Sequence, residues 1–276
     1  GRLLAQAFPN DWLVAEEDST ALRLPEASQT LQQVTSFVRR NLPTATPEAV
    51  CAWIDHKRTD SAARFWTLDP IDGTKGFLRG DQYAVALALV VDGRVRVGVL
   101  GCPNLSEAQQ SDLNGPGSLV IAVRGEGAWT TPLVSPGDFK PLSVSTQADP
   151  TQARLLRSFE SGHTNVSQID IFAQSLGIRA EPVLMDSQAK YAVLAAGKGD
   201  LMLRLLSPAQ PNYREKIWDQ AAGSLVLEEA GGQITDLDGK PLDFTTGRSL
   251  RNNRGILASN RLLHAAALQA LRQIGA

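Results

Sequence analysis

Apolar residues recur along the chain with two different spacings, and these separate helical from extended segments. A spacing of three to four positions, typical of helices, occurs in residues 1–8, 26–40, 167–176, 187–196 and 218–230. Short apolar runs, typical of strands, occupy residues 12–15, 65–68, 120–123, 127–129, 154–159 and 201–206. The helix at 218–230 is expected to begin at Asp219 and to end on Gly231-Gly232. The pattern predicts a protein that combines helices with β-sheets.

Residues 83–100 carry the clearest hairpin signal, because two apolar runs flank Asp92-Gly93. An antiparallel sheet is expected to begin there and to continue through the strands at 120–129. Residues 130–150 are rich in Pro, Ser, Thr and Gly, which favours a crossing between layers. We therefore expect an N-terminal α+β domain in residues 1–140 and a C-terminal α/β domain in residues 141–276.

Composition narrows the class of protein. The chain has 276 residues, of which 43% are apolar, so a folded core is expected. The longest apolar run, Tyr83 to Val91, is about half of the roughly 20 residues that span a membrane, so we expect a soluble protein. A formal charge of −2 argues against binding to large nucleic acids. Cys51 and Cys102 are too few for a disulfide framework, which favours a reducing compartment such as the cytoplasm.

Several common catalytic motifs are absent from the sequence. It has no phosphate-binding loop of the G-x-x-x-x-G-K-[ST] type, no G-x-G-x-x-G and no G-x-S-x-G. The three histidines, His56, His163 and His264, are far apart and lack the spacing of a zinc site. The remaining candidate chemistry depends on oxygen ligands.

The segment Asp69-Pro70-Ile71-Asp72-Gly73-Thr74 provides such ligands. It follows the predicted strand at 65–68, which Asp69-Pro70 is expected to stop, and its Pro and Gly favour a bend that turns the Ile71 carbonyl toward the two acids. Carboxylates and a carbonyl suit Mg²⁺, and two such ions about 4 Å apart stabilise phosphoryl transfer to water. Glu16 and Asp219 are candidates for the further acids that this chemistry needs.

Three sequence segments resemble a known family of enzymes. They are Glu-Glu-Asp-Ser at 16–19, DPIDGTKGFLRG at 69–80 and EKIWDQAAGSLVLEEAGG at 215–232. They are similar to the magnesium-dependent, lithium-sensitive phosphatases that include inositol monophosphatase and fructose-1,6-bisphosphatase. Within that superfamily, DPIDGTKGFLRG and MDSQAKYAVLAAGKGDLMLRL at 185–205 resemble the 3'(2'),5'-bisphosphate nucleotidases. The similarity extends from about residue 7 to residue 260 and implies a layered α-β-α-β-α sandwich of the sugar-phosphatase type.

The resemblance also implies roles for individual residues. Two or three Mg²⁺ ions would be held by Glu16, Asp69, the Ile71 carbonyl, Asp72 and Asp219. Thr74 would act in catalysis by orienting the attacking water. The substrate would contact Thr74, His163, Ser187, Lys190, Arg204 and Asp219. The implied reaction hydrolyses adenosine 3'(2'),5'-bisphosphate, or its 5'-phosphosulfate form, and connects the protein to sulfate assimilation.

Two other functions stay open at this point. An inositol phosphate phosphatase is the first, and comparing the two substrates on one preparation would distinguish it. The second is a non-catalytic paralogue that binds nucleotide or metal without turnover. It arises because the family carries an N-terminal aspartate that pairs with the Thr of the DPIDGT motif, and this sequence begins after the place expected for it.

Overall fold

The computed structural model describes residues 1–56, 59–159 and 166–276. The helices are α1 (Arg2–Ala7), α2 (Ser28–Arg39), α3 (Pro47–Ile54), α4 (Thr74–Arg79), α5 (Val166–Ser175), α6 (Ala189–Ala195), α7 (Ala221–Glu229) and α8 (His264–Gln273). The strands are β1 (Trp12–Ala15), β2 (Arg64–Asp72), β3 (Ala84–Val91), β4 (Arg94–Cys102), β5 (Leu105–Ser106), β6 (Gln110–Ser111), β7 (Ser118–Val123), β8 (Gly127–Pro132), β9 (Lys140–Pro141), β10 (Leu155–Arg157), β11 (Val183–Leu184), β12 (Leu201–Arg204), β13 (Gln233–Thr235) and β14 (Ile256–Ser259). Helices and strands are therefore mixed, as the apolar spacing predicts.

The larger sheet has the strand order β1-β2-β3-β4-β7-β8-β9. β1 is parallel to β2, and the later neighbours pair antiparallel. The β3–β4 hairpin turns at Asp92 and Gly93, whose φ angles of 50° and 71° lie in the left-handed region that such turns require. The hairpin predicted at these residues is therefore confirmed.

The smaller sheet has the strand order β11-β10-β12-β14-β13. β10 is parallel to β11 and β12, whereas β14 is antiparallel to β12 and β13. Side chains alternate between its faces, so that Leu155 and Leu201 belong to one core and Leu156 and Met202 to another. Both faces are therefore covered by apolar contacts.

Helices and sheets stack in alternating layers. Leu4 of α1 packs with Trp66 on the outer face of the larger sheet. α6 and α7 lie between the sheets, where Leu225 of α7 joins a core that includes residues from both. α5 and α8 cover the outer face of the smaller sheet with Phe172 and Leu271. The layered α-β-α-β-α sandwich that the sequence predicts is confirmed.

β2 runs further than the sequence predicts. Instead of stopping at Asp69-Pro70, it continues to Asp72, which pairs with Ala84 of β3. The proline is tolerated because β1 pairs with β2 only as far as Leu68, so Pro70 needs no N–H on that side. The strand therefore carries both acids of the motif.

The two halves of the chain share a core. β9 at Lys140–Pro141 is the last strand of the larger sheet, and β10 begins the smaller one. Val90 of β3 and Leu225 of α7 nevertheless belong to one cluster of buried side chains. The division into domains 1–140 and 141–276 stays a prediction.

Two observations bear on the environment of the chain. In the described ranges, no helix is both long enough and apolar enough to cross a membrane. Cys51 and Cys102 are buried free thiols. Burial raises the pKa of the Cys102 thiol to about 12, which keeps it protonated and unreactive.

Candidate active site

A bulge in β2 places two acids on the same side of the sheet. Asp69 pairs with Ala86 of β3 and Asp72 pairs with Ala84, so β2 uses one more residue than β3 over this stretch. In a regular strand, side chains three positions apart point to opposite faces, and the extra residue removes that difference. Asp69 also accepts a hydrogen bond of 3.0 Å from the Ile71 N–H, which holds the turn closed.

Four acids from three segments meet beside this turn. One carboxylate oxygen from each of Asp69, Asp72 and Asp219 lies within 4.8 Å of the others. Glu16 follows β1, and its N–H donates to the Leu68 carbonyl at 3.1 Å while its side chain hydrogen-bonds to Asp69. All four acids line a cavity of about 400 Å³. The structure therefore brings the four predicted acids together.

Asp219 reaches the cavity from a turn rather than from a helix start. The predicted helix beginning at this residue is wrong by two positions, because α7 begins at Ala221. The Ile217 carbonyl accepts from the N–H groups of Gln220 and Ala221 and forms the turn. Trp218 is buried, as expected for a core residue, and Arg248 lies over its ring at 4.5 Å. This packing holds the turn against the site.

The acids of the cluster are strongly destabilised as anions. Burial is the main cause that raises the pKa of Asp69, to about 10, and repulsion from Asp72 and Glu16 raises it further. Burial and neighbouring carboxylates also raise the pKa of Asp219. The pKa of Asp72 is raised by burial, although the Gln188 N–H opposes the shift. A cation at this point would relieve both the burial cost and the repulsion.

The donor set fits a hard divalent metal ion. The cavity offers the carboxylates described above, and Ile71 also lines it. The Thr74 hydroxyl donates to the Ile71 carbonyl at 3.2 Å, so that carbonyl points into the same turn. Oxygen ligands with several carboxylates are the set that Mg²⁺ prefers over softer metals.

Two cationic side chains, Lys190 and Arg204, line the same cavity as the acids. Lys190 of α6 is buried, and its Nζ donates to Ser158 Oγ and to the Met185 carbonyl, each at 3.1 Å. Burial, followed by repulsion from Arg204, lowers the pKa of Lys190 to about 8. Both cations line the cavity beside the acids. We call Lys190 and Arg204 the cationic wall of this cavity, and the four acids its acidic wall.

Arg204 is held by a buried acid. Its Nε lies 3.0 Å from Glu215 Oε2, although the alignment falls short of a hydrogen bond. Burial opposes the charge on Arg204, but Glu215 and Asp219 outweigh that cost and raise its pKa above the usual value. Arg204 therefore stays charged at the cavity wall.

Ser187 and Thr74 also line the cavity, and His163 lies outside the described residues. Every other residue that the sequence marks as a candidate is at this cavity. The sequence did not single out Ser158, Asp186, Tyr213, Gln188 or Glu215. Asp186 lies next to Ser187 in the sequence and could have been found there, whereas nothing in the sequence marks Ser158.

The fold and the site together define a class of protein. The chain is a layered sandwich, and a cluster of oxygen ligands and the cationic wall line one cavity at the edge of its larger sheet. Comparison with known proteins places the chain within this class. The chain belongs to the inositol monophosphatase family, whose model matches residues 1–276.

Curated relatives narrow the comparison. The chain is 41% identical to the 3'(2'),5'-bisphosphate nucleotidase of Schizosaccharomyces pombe, over 97% of this chain and 79% of the relative. It is 42% identical to the protein of the same name from Oryza sativa, over 98% of this chain and 79% of the relative. The 3'(2'),5'-bisphosphate nucleotidase 1 of Candida albicans is 40% identical over 97% of this chain.

Solved structures support the fold. An IMPase of Thermotoga maritima matches with a TM-score of 0.64 at 19% identity, covering 99% of this chain and 79% of that chain. The inositol monophosphatase from Anabaena matches with a TM-score of 0.62 at 21% identity, covering 99% of this chain and 81% of that chain. At such identities the likeness concerns the arrangement of layers.

Proposed function

We propose that the chain is a Mg²⁺-dependent phosphatase that hydrolyses adenosine 3'(2'),5'-bisphosphate to AMP and phosphate. The observation that carries this proposal is one cavity that is lined both by the four acids and by Lys190 and Arg204. A substrate with two phosphates can place one at each wall. Relatives about 40% identical carry the name of this activity, which supports the same assignment.

The acidic wall would hold two or three Mg²⁺ ions through Glu16, Asp69, the Ile71 carbonyl, Asp72 and Asp219. When bound, Mg²⁺ lowers the pKa of a ligated water and offsets negative charge on the phosphate in the transition state. The residues contribute position, because the fold brings the carboxylates of Asp69, Asp72 and Asp219 within 4.8 Å of one another. Less reorganisation is then needed at the moment of reaction.

Thr74 would orient the attacking water. Its hydroxyl proton is engaged by the Ile71 carbonyl at 3.2 Å, so its oxygen lone pairs are left to accept a hydrogen bond from the water. Gly73, with a φ of 83°, places Thr74 at the start of α4 beside the acids. The Thr74 hydroxyl therefore donates its hydrogen bond toward the Ile71 carbonyl and accepts one from a different direction.

Lys190 and Arg204 would bind the phosphate that is retained. Hydrogen bonds between charged partners are about twice as strong as neutral ones. Contacts with protein groups also hold both cations in place, Lys190 at the Met185 carbonyl and Arg204 at Glu215. Ser187 adds a hydroxyl at the same cavity. His163 is predicted to contact the nucleotide, and its contribution stays a prediction.

The cationic wall favours a bisphosphate over an inositol monophosphate. A substrate with one phosphate would occupy the acidic wall and leave Lys190 and Arg204 without an anion. Activity with adenosine 3',5'-bisphosphate, the 5'-phosphosulfate form and inositol 1-phosphate should be measured on one preparation. Preference for inositol 1-phosphate would contradict the assignment.

Phosphate release from adenosine 3',5'-bisphosphate, measured with and without Mg²⁺, tests the proposal directly. Asp69→Asn should lower turnover by about 100-fold or more, the scale of losing one electrostatic contribution in the transition state. Asp92→Asn is the matched control, because Asp92 is an exposed hairpin residue with a φ that Asn also adopts. Equal turnover in the two variants would reject the site.

We place this reaction in the cytoplasm. Two buried free thiols, Cys51 and Cys102, suit a reducing compartment. Fractionation of cells that express the full-length protein, with an antibody to this chain, checks the location.

A further inference from the structure

Gln188 connects the two segments that carry Asp72 and Asp219. It lies between Ser187 and the start of α6, and only 2% of its surface is exposed. Its backbone N–H donates to Asp72 Oδ2. Its side-chain Nε2 donates to the Trp218 carbonyl at 2.9 Å, directly before Asp219. One residue therefore holds both acids, by its backbone on one side and by its side chain on the other.

The side-chain oxygen of Gln188 completes the connection. It accepts a hydrogen bond of 3.0 Å from the Gly223 N–H, in the first turn of α7. The N-cap residue of this helix, Gln220, provides no side-chain cap. The first N–H groups of a helix have no partner within it, so Gln188 caps α7 from the turn before α6. An apolar side chain would leave two buried backbone groups unpaired.

The backbone around Gln188 is shaped to reach Asp72. Ser187 has a φ of 65°, a left-handed conformation that non-glycine residues rarely adopt. On the opposite side, a Cβ added to Gly73 would lie 2.8 Å from Ser187 Cβ, so the two turns are in close contact. Such conformations persist only where surrounding contacts hold them. Here the contact directs the Gln188 N–H at Asp72.

We propose that Gln188 is a positioning residue that sets the separation of Asp72 and Asp219, and so the affinity of the acidic cluster for Mg²⁺. The inference rests on the proposed function, because it assumes that these acids bind the metal. Gln188 is not itself a ligand in this proposal, because its side-chain amide is engaged by the Trp218 carbonyl and the Gly223 N–H. Its effect passes through the carboxylate of Asp72 and through the backbone beside Asp219.

The test uses Gln188→Met, which keeps the length of the side chain and the backbone N–H but removes the amide. The Mg²⁺ dissociation constant, measured by isothermal titration calorimetry, should rise about 10- to 100-fold, the usual effect of losing a group that orients metal ligands. The Mg²⁺ concentration that gives half-maximal phosphate release should rise in parallel. Most of kcat should return at saturating Mg²⁺, because the ligands themselves remain.

Asn253→Leu is the matched control. Asn253 is also a buried amide that joins separate segments, with bonds to Asp236, Pro241 and Asp243, but it does not line the cavity. Its loss should lower the melting temperature and leave the Mg²⁺ dissociation constant unchanged. This is the result expected of a variant that destabilises the fold without changing the acidic cluster.

Gln188→Asn provides a milder change in case the methionine variant does not fold. Its amide is too short to reach the Trp218 carbonyl and the Gly223 N–H together, so a smaller shift in the same direction is expected. Wild-type Mg²⁺ affinity in the folded Gln188 variants would overturn the inference. Failure of the proposed function is distinct, since the wild-type chain itself would then show no Mg²⁺-dependent phosphate release.

Discussion

Gly73 lies where the acidic turn packs against the turn before α6. Its φ of 83° is left-handed, and an added Cβ would lie 2.8 Å from Ser187 Cβ. Gly80 has a similar φ of 77° with open space around it. Gly80→Ala should cost about 1 to 2 kcal/mol of unfolding free energy, from the left-handed backbone alone. Gly73→Ala should cost more and should also lower phosphate release.

Urea unfolding and phosphate release should be measured for both glycine variants. The comparison separates the strain of a left-handed backbone from the effect of the contact with Ser187. The Gly80 variant reports the cost of the backbone conformation. The additional loss in the Gly73 variant reports the displacement of the turn at Ser187. Equal stability and equal activity in the two variants would show that the close approach has no functional effect.

Lys190 should contribute to binding rather than to chemistry. Lys190→Met removes a buried cation, so the KM for adenosine 3',5'-bisphosphate should rise about 10-fold or more while kcat changes less, as expected for uniform binding energy. Lys198→Met, on the exposed end of the same segment, is the control. A fall in kcat with unchanged KM would contradict this role.

The pH dependence of KM provides an independent check on Lys190. Burial lowers its pKa to about 8, so the amine is protonated below that value and loses its charge above it. The wild-type KM should therefore rise as the pH passes about 8, and the Lys190→Met variant should lack this rise. Initial rates between pH 7 and pH 9 measure the effect, and the same rise in both proteins would assign it to another group.

The sequence locates the four acids of the site but not the residue that connects the segments of two of them. All four predicted acids lie at the cavity: Glu16, Asp69, Asp72 and Asp219. They could be predicted because acids beside strand ends have few structural reasons to be there. Gln188 carries no charge, and its contacts lie 30 to 35 residues away in the sequence, at Trp218 and Gly223. Its importance follows from three-dimensional contacts that no local pattern contains.

At the scale of elements, the sequence predicts that a helix or a strand is present more reliably than it predicts where that helix or strand begins and ends. The hairpin at Asp92-Gly93 is local and was found. The continuation of β2 to Asp72 depends on its pairing with β3, and the start of α7 depends on a cap supplied by Gln188. Both are tertiary effects. The short helix α4, which begins directly after Gly73, also has no periodic pattern long enough to recognise.

His264 links α8 to the smaller sheet and should make this contact sensitive to acid. Its two ring nitrogens lie 3.0 Å from Thr235 Oγ1 of β13 and 2.9 Å from Ser259 Oγ of β14. Burial lowers its pKa to about 4. His264 has a pKa of about 6.5 in the unfolded chain and about 4 in the folded chain. At a pH between these two values, the unfolded chain binds a proton that the folded chain does not. Stability is therefore present above pH 6.5 and falls as the pH is lowered.

Comparison with His264→Gln, which keeps polar atoms but does not titrate, isolates this effect. Between pH 7 and pH 5, the wild type should lose about 2 kcal/mol more unfolding free energy than the variant. Urea unfolding at several pH values measures the difference. If the two proteins lose stability equally, His264 is not the group that responds.

At the scale of the whole molecule, the two halves meet without a gap. A Cβ added to Gly98 of β4 would lie 2.7 Å from the Ala222 carbonyl of α7, so the helix rests directly on the larger sheet. Asp69 and Asp72 come from this sheet, and Asp219 comes from the turn before the helix. The acidic cluster is therefore assembled by the contact between the halves, which explains why acids far apart in sequence lie together.

This arrangement predicts how Mg²⁺ should affect unfolding. A ligand that binds only the folded state adds about 2.7 kcal/mol at 100 times its dissociation constant. Because the acids come from both halves and the halves share one core, calorimetry should show a single transition that moves upward as a whole when Mg²⁺ is added. Asp219→Asn should lose most of the upward shift, because it removes one carboxylate of the acidic cluster. Asp92→Asn should keep the full shift. Two separate transitions, of which Mg²⁺ moves only one, would instead show that residues 1–140 and 141–276 unfold independently and that the shared core does not couple them.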